Sequence, residues 1–579
     1  MDSTLKTDQD ARADLRIDNA RHVNVFTGEV EWTSLCVKDG LVLGFEPREA
    51  EEVLDAGGAY ILPGLIDAHV HIESSLLTPE RFAELVLPRG VTTVIADPHE
   101  IANVAGAAGL RYMIEASCGL PLDIRYMLPS CVPALPPEIL NEGVSPLDAG
   151  ALAPFYDEPG VLGLGEMMNV PGVLNADADV MAKLTEARRR GRVTDGHAPG
   201  LDGPDLERYV RAGIKTDHEC TTVNEMHNRL RLGMYVALRQ GSAARDLSLL
   251  LSGLTEGNAR RCMFCSDDKH PADILCEGHI DASVRMAVAS GIAPGTAVRM
   301  ATLNAAECYA LNDVGALAPG RRANMILVDS LRAFAARKVW SDGRLVAENG
   351  AMLAPVATTA DSSNVRDSVR LAALPDNPEE VFALRVPSGK ARVICLTPHS
   401  IVTRQETHAV KVDGDGRFVF DKNPGILKLA VLERHRASGR MGLGLLDKSY
   451  GLRDGAIALS IAHDAHNIVV AGDNDSDMLA AVRLVERMQG GIAMLAEGRE
   501  LAALPLPVAG LMSDAPAHEV AETLQKMLDL AKSHYHISDK ADAFMTLSFL
   551  ALPVIPHLKL TTCGLFDVDK FQIVDIAAE

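Results

Sequence analysis

The chain has 579 residues, more than one ordinary domain holds, so two to four domains are expected. Hydrophobic residues make up 47% of it, enough for large cores, while a formal net charge of −22 excludes a surface built to track phosphates. The ten cysteines are scattered, and the one Cys-x-x-Cys, Cys262 and Cys265, falls in a strand-like run with no second pair nearby, which disfavours a zinc knuckle or redox site.

In chain order, the N-terminal stretch MDSTLKTDQDARADLRIDNA is polar and lacks an apolar signal core. Residues 1–60 are expected to form the N-terminal part of a β-sandwich, because short apolar runs alternate there with turn signals. From residue 61 strands alternate with helical stretches. The strand candidates are 61–68, 91–97, 123–130, 161–168, 191–197, 213–218, 233–239 and 261–267. This alternation suggests a TIM-type (β/α)8 barrel over residues 61–312. Helical segments at 279–290 and 295–311 follow, and 313–356 read as return strands of the sandwich. Residues 357–377, containing TTADSSNVRD, are polar and aperiodic and serve as a linker, and 378–579 are expected to form a C-terminal α+β domain. The expected fold is therefore α/β: a TIM-type barrel with a flanking split β-sandwich and an additional α+β domain. The longest greasy run, Ala543 to Ile555, is short and broken by Pro553, so no membrane span is expected. The composition reads as a cytoplasmic protein that binds neither membrane nor nucleic acid.

The chemistry begins in GLIDAHVHIESS, where His69 and His71 stand two apart at the end of an apolar run. Strand side chains alternate faces, so the two imidazoles project together and make half of a transition-metal site. Alone, such a pair is equally well read as coincidence. Glu166, His197, His218 and Asp267 then recur, each at the end of its own short apolar run. Barrel active sites form at the carboxyl ends of the strands, where these residues fall. Elsewhere, His463, Asp464 and His466 in IAHDAHNIVV are read as a ligand cluster, as structural residues or as lining of the site's mouth. The acid run GDNDSD lacks the later glutamate of a calcium loop and reads as a helix-capping turn. His270, Glu277 and His279 are candidates for a lid.

PGLIDAHVHIE, the order of the ligand candidates and MATLNAAECYALNDVGALAPGRRANMILVD together resemble the amidohydrolase superfamily. HIESSLLTPERFAELVLPRGVTTVIADPHEIANVAG, GLGEMMN, FCSDDKHP and GLRDGAIALSIAHDAHNIVVAG resemble, more narrowly, its bacterial adenine deaminases, over nearly the whole chain. The resemblance implies hydrolytic deamination of adenine to hypoxanthine and ammonia by a metal-activated hydroxide. It implies two divalent ions, with Mn²⁺ or Fe²⁺ favoured and Zn²⁺ also suited to nitrogen and oxygen donors. It also implies a homo-oligomer, a dimer or larger, and a C-terminal domain of the kind these deaminases carry. A cyclic amidohydrolase that opens rings, like a dihydroorotase or hydantoinase, is the alternative.

Under this resemblance His69 and His71 take one metal, His197 and His218 the other. Glu166 occupies the fourth-strand position where many relatives carry a carboxylated lysine, and it can bridge without modification. The nearby Lys183 falls in a predicted helix. Asp267 is expected to ligate a metal and take a proton from the attacking water, with Asp268 pointing the other way if strand eight stays regular. Many related deaminases have a glutamate three residues beyond the fifth-strand histidine, but Gly200 stands there in this chain. Asp97 and Glu100 are the catalytic and substrate-binding candidates for that role, with Glu219 as runner-up. Asp97 also reads as the opener of an Asp-Pro turn, and His99 as a ligand of an auxiliary metal.

Overall fold

The computed structural model describes residues 12–133, 146–398, 400, 402–538 and 541–578. Residues 1–11 of the expected first segment lie outside these.

Eight parallel strands follow one another where eight were expected: Leu65–Val70, Val91–Ala96, Asp123–Leu128, Val161–Met167, Val193–Gly196, Thr216–Asp217, Tyr235–Arg239 and Cys262–Cys265. The first five form one parallel sheet and the last three another. The Lys215 amide donates to the Thr194 carbonyl at 2.9 Å, joining strands five and six. The Asp267 amide donates to the His69 carbonyl at 3.0 Å, joining strand eight to strand one. Ile66, Ala68, Ile95, Met127, Ala237, Met263 and Cys265 pack together inside, so the interior is a filled core and not a pore.

The apolar run 61–68 is not one strand. Tyr60–Pro63 pairs antiparallel with Met325–Val328, and Leu65–Val70 opens the barrel. The break falls at Gly64, where a β-carbon would lie 2.1 Å from the Thr92 hydroxyl oxygen. Only glycine lets the chain pass so close while it changes sheets. Residues on both sides of the barrel thus meet in one nine-stranded sheet, from Ala13–Val23 through Ala351–Met352.

Beyond the barrel, Ile280–Ala289, Pro294–Met300 and Leu303–Cys308 are helical. Residues 357–362 are irregular, but Val365 is buried. The C-terminal part carries an eight-stranded sheet between Lys390–Leu396 and Arg499–Pro505, and a three-stranded sheet from Leu558–Thr561 to Gln572–Val574. Helix Asp475–Arg487 is capped by Asn474, whose side chain accepts from the Asp477 amide, so the GDNDSD run starts a helix. Among the described residues, no helix is long and apolar enough to cross a membrane.

Candidate metal centre

The six ligand candidates converge at the carboxyl ends of the barrel strands. His69 and His71, on the first strand and just past it, bring their Nε2 atoms to 3.2 Å of each other. His71 is fixed by a 2.9 Å hydrogen bond between its Nδ1 and the Asp97 carbonyl, the kind of outer contact that sets which ring nitrogen faces a metal. Glu166 divides its carboxylate between two groups. Oε1 lies 3.6 Å from His71 Nε2, while Oε2 lies 3.0 Å from His197 Nδ1 and 3.2 Å from His218 Nε2. Asp267 Oδ1 lies 3.1 Å from His71 Nε2 and 3.5 Å from His69 Nε2.

Rigid surroundings hold these groups. The Glu166 amide donates to Asp97 Oδ2 at 2.9 Å, and a β-carbon on Gly165 would fall 2.1 Å from that oxygen. The buried pair Arg229–Asp217, at 2.8 Å, holds the turns carrying His197 and His218, because Asp217 Oδ1 accepts from the Ala198 and Glu219 amides. Removing that guanidinium would leave a buried carboxylate unpaired, a loss of about 3–5 kcal/mol.

Three expectations about individual residues change. Strand eight ends at Cys265, before the aspartates, and Asp267 adopts a left-handed φ of 56°. Aspartate tolerates that conformation better than most residues. Asp267 and Asp268 do diverge, but through this turn and not through strand alternation, and both line the cavity. Asp268 Oδ1 accepts from the Ser74 hydroxyl at 2.5 Å. Asp97 is buried beneath the site and is not among the cavity-lining residues; its Oδ2 accepts from the Glu166 amide on the fourth strand, and its Oδ1 lies 3.7 Å from His99 Nδ1. His270, Glu277 and His279 form no lid: none lines the cavity, and His279 is buried with Nε2 3.2 Å from Asp67. Glu100 and Glu219 do line the cavity. His99 reaches the cluster itself, with Nδ1 3.3 Å from Glu166 Oε1.

One contribution was missed in the sequence and another was left open there. Arg239, at the end of strand seven, bridges Glu219 at 2.5 Å and Asp267 at 2.9 Å. Its place at the end of the apolar run MYVALR was the available signal. His463 and Asp464 of the C-terminal part join Met545 and Phe549 in walling the cavity of about 1290 Å³.

Electrostatics follow from burial and proximity. Burial alone would strip His71 and His218 of a proton, but Asp267 and Glu166 outweigh it and hold both above the ordinary imidazole range. Burial would raise Glu166 and Asp267. His197 and His218 hold the first well below the usual carboxylate range, and His69, His71 and Arg239 hold the second there. The ionised carboxylates suit positive charge, which a bound divalent cation would add to that of the histidines. The buried His218 Nε2 and His99 Nδ1 lie 3.2 and 3.3 Å from Glu166 oxygens without hydrogen-bond geometry, as nitrogens and oxygens turned towards a shared cation would. Imidazole and carboxylate donors suit first-row divalent ions, so the residues fit a divalent metal centre.

Comparison with known proteins agrees. Residues 60–346 match the Amidohydrolase family, which implies a divalent metal centre on a (β/α)8-type barrel. Residues 400–572 match the Adenine deaminase C-terminal domain. The chain is 57% identical to the adenine deaminase of Nitratidesulfovibrio vulgaris strain DP4, covering 98% of this chain and 97% of that one. It is 46% identical to adenine deaminase 2 of Carboxydothermus hydrogenoformans, with the same coverages. It is 45% identical to the adenine deaminase of Geobacillus kaustophilus, again over 98% and 97%. The chain belongs to the adenine deaminase family.

Proposed function

We propose that this enzyme hydrolyses adenine to hypoxanthine and ammonia, and that His69, His71, Glu166, His197, His218 and Asp267 hold two divalent ions. The observation that carries the site assignment is the division of Glu166, one oxygen towards His71 and the other towards His197 and His218. Held by these residues, two such ions would bring the pKa of a bound water towards 7. Asp267 accepts the proton that water gives up as its oxygen bonds to purine C6, while a ring nitrogen is protonated. Asp267 then returns its proton to the departing amine, the C6–N bond breaks and ammonia leaves, while the second water proton leaves the C6 oxygen as the carbonyl forms and replaces the proton given to the ring nitrogen. Arg239, hydrogen-bonded to Asp267 Oδ2, holds that carboxylate in place.

Glu100, facing the cavity, is our candidate for recognising the purine and supplying the ring proton, with Glu219 second. Asp97 acts from below, through the Glu166 backbone. Glu100→Ala should depress adenine turnover at least about tenfold, the lower range for acid–base groups, with the metals of the barrel retained. Asp97→Ala should depress it comparably but by weakening metal retention. Steady-state kinetics beside metal analysis separates the two, and near-normal kinetics in Glu100→Ala would move the role to Glu219.

Ring-opening of cyclic amides is not favoured: Lys183, the nearby lysine, is tied to the Ser130 carbonyl at 2.9 Å and to Asp179 at 2.9 Å. Ammonia release from adenine, measured beside hydantoin hydrolysis with Mn²⁺, Fe²⁺ or Zn²⁺ loaded, tests the reading. Hydantoin turnover without adenine turnover would overturn it. We read Mn²⁺ or Fe²⁺ as the working ion and the enzyme as a cytoplasmic homo-oligomer. We divide the chain into 1–60 and 313–356 as a split sandwich, 61–312 as the barrel, a linker at 357–377 and a C-terminal domain at 378–579. The pairing of Tyr60–Pro63 with Met325–Val328 supports this, with the first limit moved to Gly64.

A further inference from the structure

Between strands Ala456–Leu459 and Ile468–Gly472 the C-terminal sheet sends a turn to the barrel mouth, carrying His463, Asp464 and His466. His463 Nδ1 lies 3.7 Å from Oε1 of Glu100, in the first turn of helix His99–Ala116. His466 is fully buried, and neither of its ring nitrogens has a hydrogen-bond partner. An unsatisfied buried polar group is costly, so a fully buried imidazole without partners calls for a ligand. The acids opposite are short of donors too. The single hydroxyl proton of Ser74 faces both Glu100 Oε1, at 2.7 Å, and Asp268 Oδ1, at 2.5 Å, and can serve only one of them. Glu73 Oε2 is buried without a partner as well.

The ligand atoms of Glu100, His463 and His466 all lie within 4.8 Å of one another. Two imidazoles and a carboxylate are the donor set of many zinc sites, with a fourth position left for water. We propose that Glu100, His463 and His466 bind a third divalent cation, which pins the C-terminal domain to the barrel mouth. One carboxylate oxygen of Glu100 suffices for it, but a cation-bound carboxylate stays ionised, so with the site filled Glu100 recognises the purine as an acceptor and the ring proton falls to Glu219. The ion adds positive charge where Glu100, Asp268 and Asp464 line the same wall. Glu100 is shared with the proposed adenine site, but His466 is not, so substitution of His466 tests the third site apart from that reading.

Metal counting on the full-length protein tests this. Protein saturated with Zn²⁺ and then desalted should retain three zinc ions per chain, and His466→Ala should retain two with unchanged circular dichroism. A count that does not fall by one from the parent to folded His466→Ala overturns the site, whatever number the barrel itself retains. Should His466→Ala not fold, His463→Gln is expected to lose the same single equivalent, and an undiminished count there is equally fatal. Anomalous scattering at the zinc edge from crystals of the parent decides without any variant. A peak among the three side chains is expected, and water density alone refutes the proposal.

Discussion

Asp267→Asn should lower adenine turnover by about 10²–10⁴-fold, the span for loss of a positioned acid–base group, while leaving the fold intact. Asparagine has the same shape and also tolerates the left-handed φ of 56° at this position. An amide cannot accept the water's proton, and it weakens the contact with the Arg239 guanidinium, 2.9 Å from Oδ2. Asp268→Asn should be milder, because Asp268 is hydrogen-bonded to Ser74 and lies outside the histidine cluster. Steady-state rates of the two variants at saturating metal provide the comparison. Equal losses, or a larger loss at Asp268, would mean that the proton passes through the Ser74 side of the cavity.

Glu166→Gln should lose metal before anything else. Replacing an outer contact of a metal ligand already costs about 10–100-fold in affinity, and Glu166 faces both halves of the cluster. Its loss should therefore cost at least about 100-fold. The glutamine nitrogen would also face His197 or His71 as a donor, not an acceptor, on one side of the bridge. Elemental analysis after dialysis checks this, and an undiminished metal content would remove Glu166 from the bridging role. Restored turnover at high Mn²⁺ would show that the variant fails by affinity and not by fold.

The barrel was legible because most of its strands are short apolar runs that stop at or just before a polar residue with chemical use, from His69 and His71 to Asp267. That pattern carries both the fold and the convergence of the six ligand candidates. It did not carry the break at Gly64, since Tyr60–Pro63 and Leu65–Val70 are equally apolar and only their partners differ. Nor did it carry the direction of Asp97, which depends on the space left by Gly165 on the fourth strand, two strands away from its own. The arrival of His463 and Asp464 at the cavity was open in the sequence, because local periodicity says nothing of how two domains dock.

The nine-stranded sheet has a consequence for the order in which the chain matures. Tyr60–Pro63 emerges from the ribosome early, yet its partner Met325–Val328 lies beyond the whole barrel. Closing so long a loop costs little in stability, since each doubling of length adds only about 0.6 kcal/mol. The delay is kinetic, because non-local strand pairing slows folding and leaves an apolar edge uncovered meanwhile. Ribosome-bound chains stalled before residue 325 should therefore be cut by protease within residues 13–63, and chains stalled well after residue 352 should resist. Equal resistance in both would show that the early strands find a stable arrangement of their own.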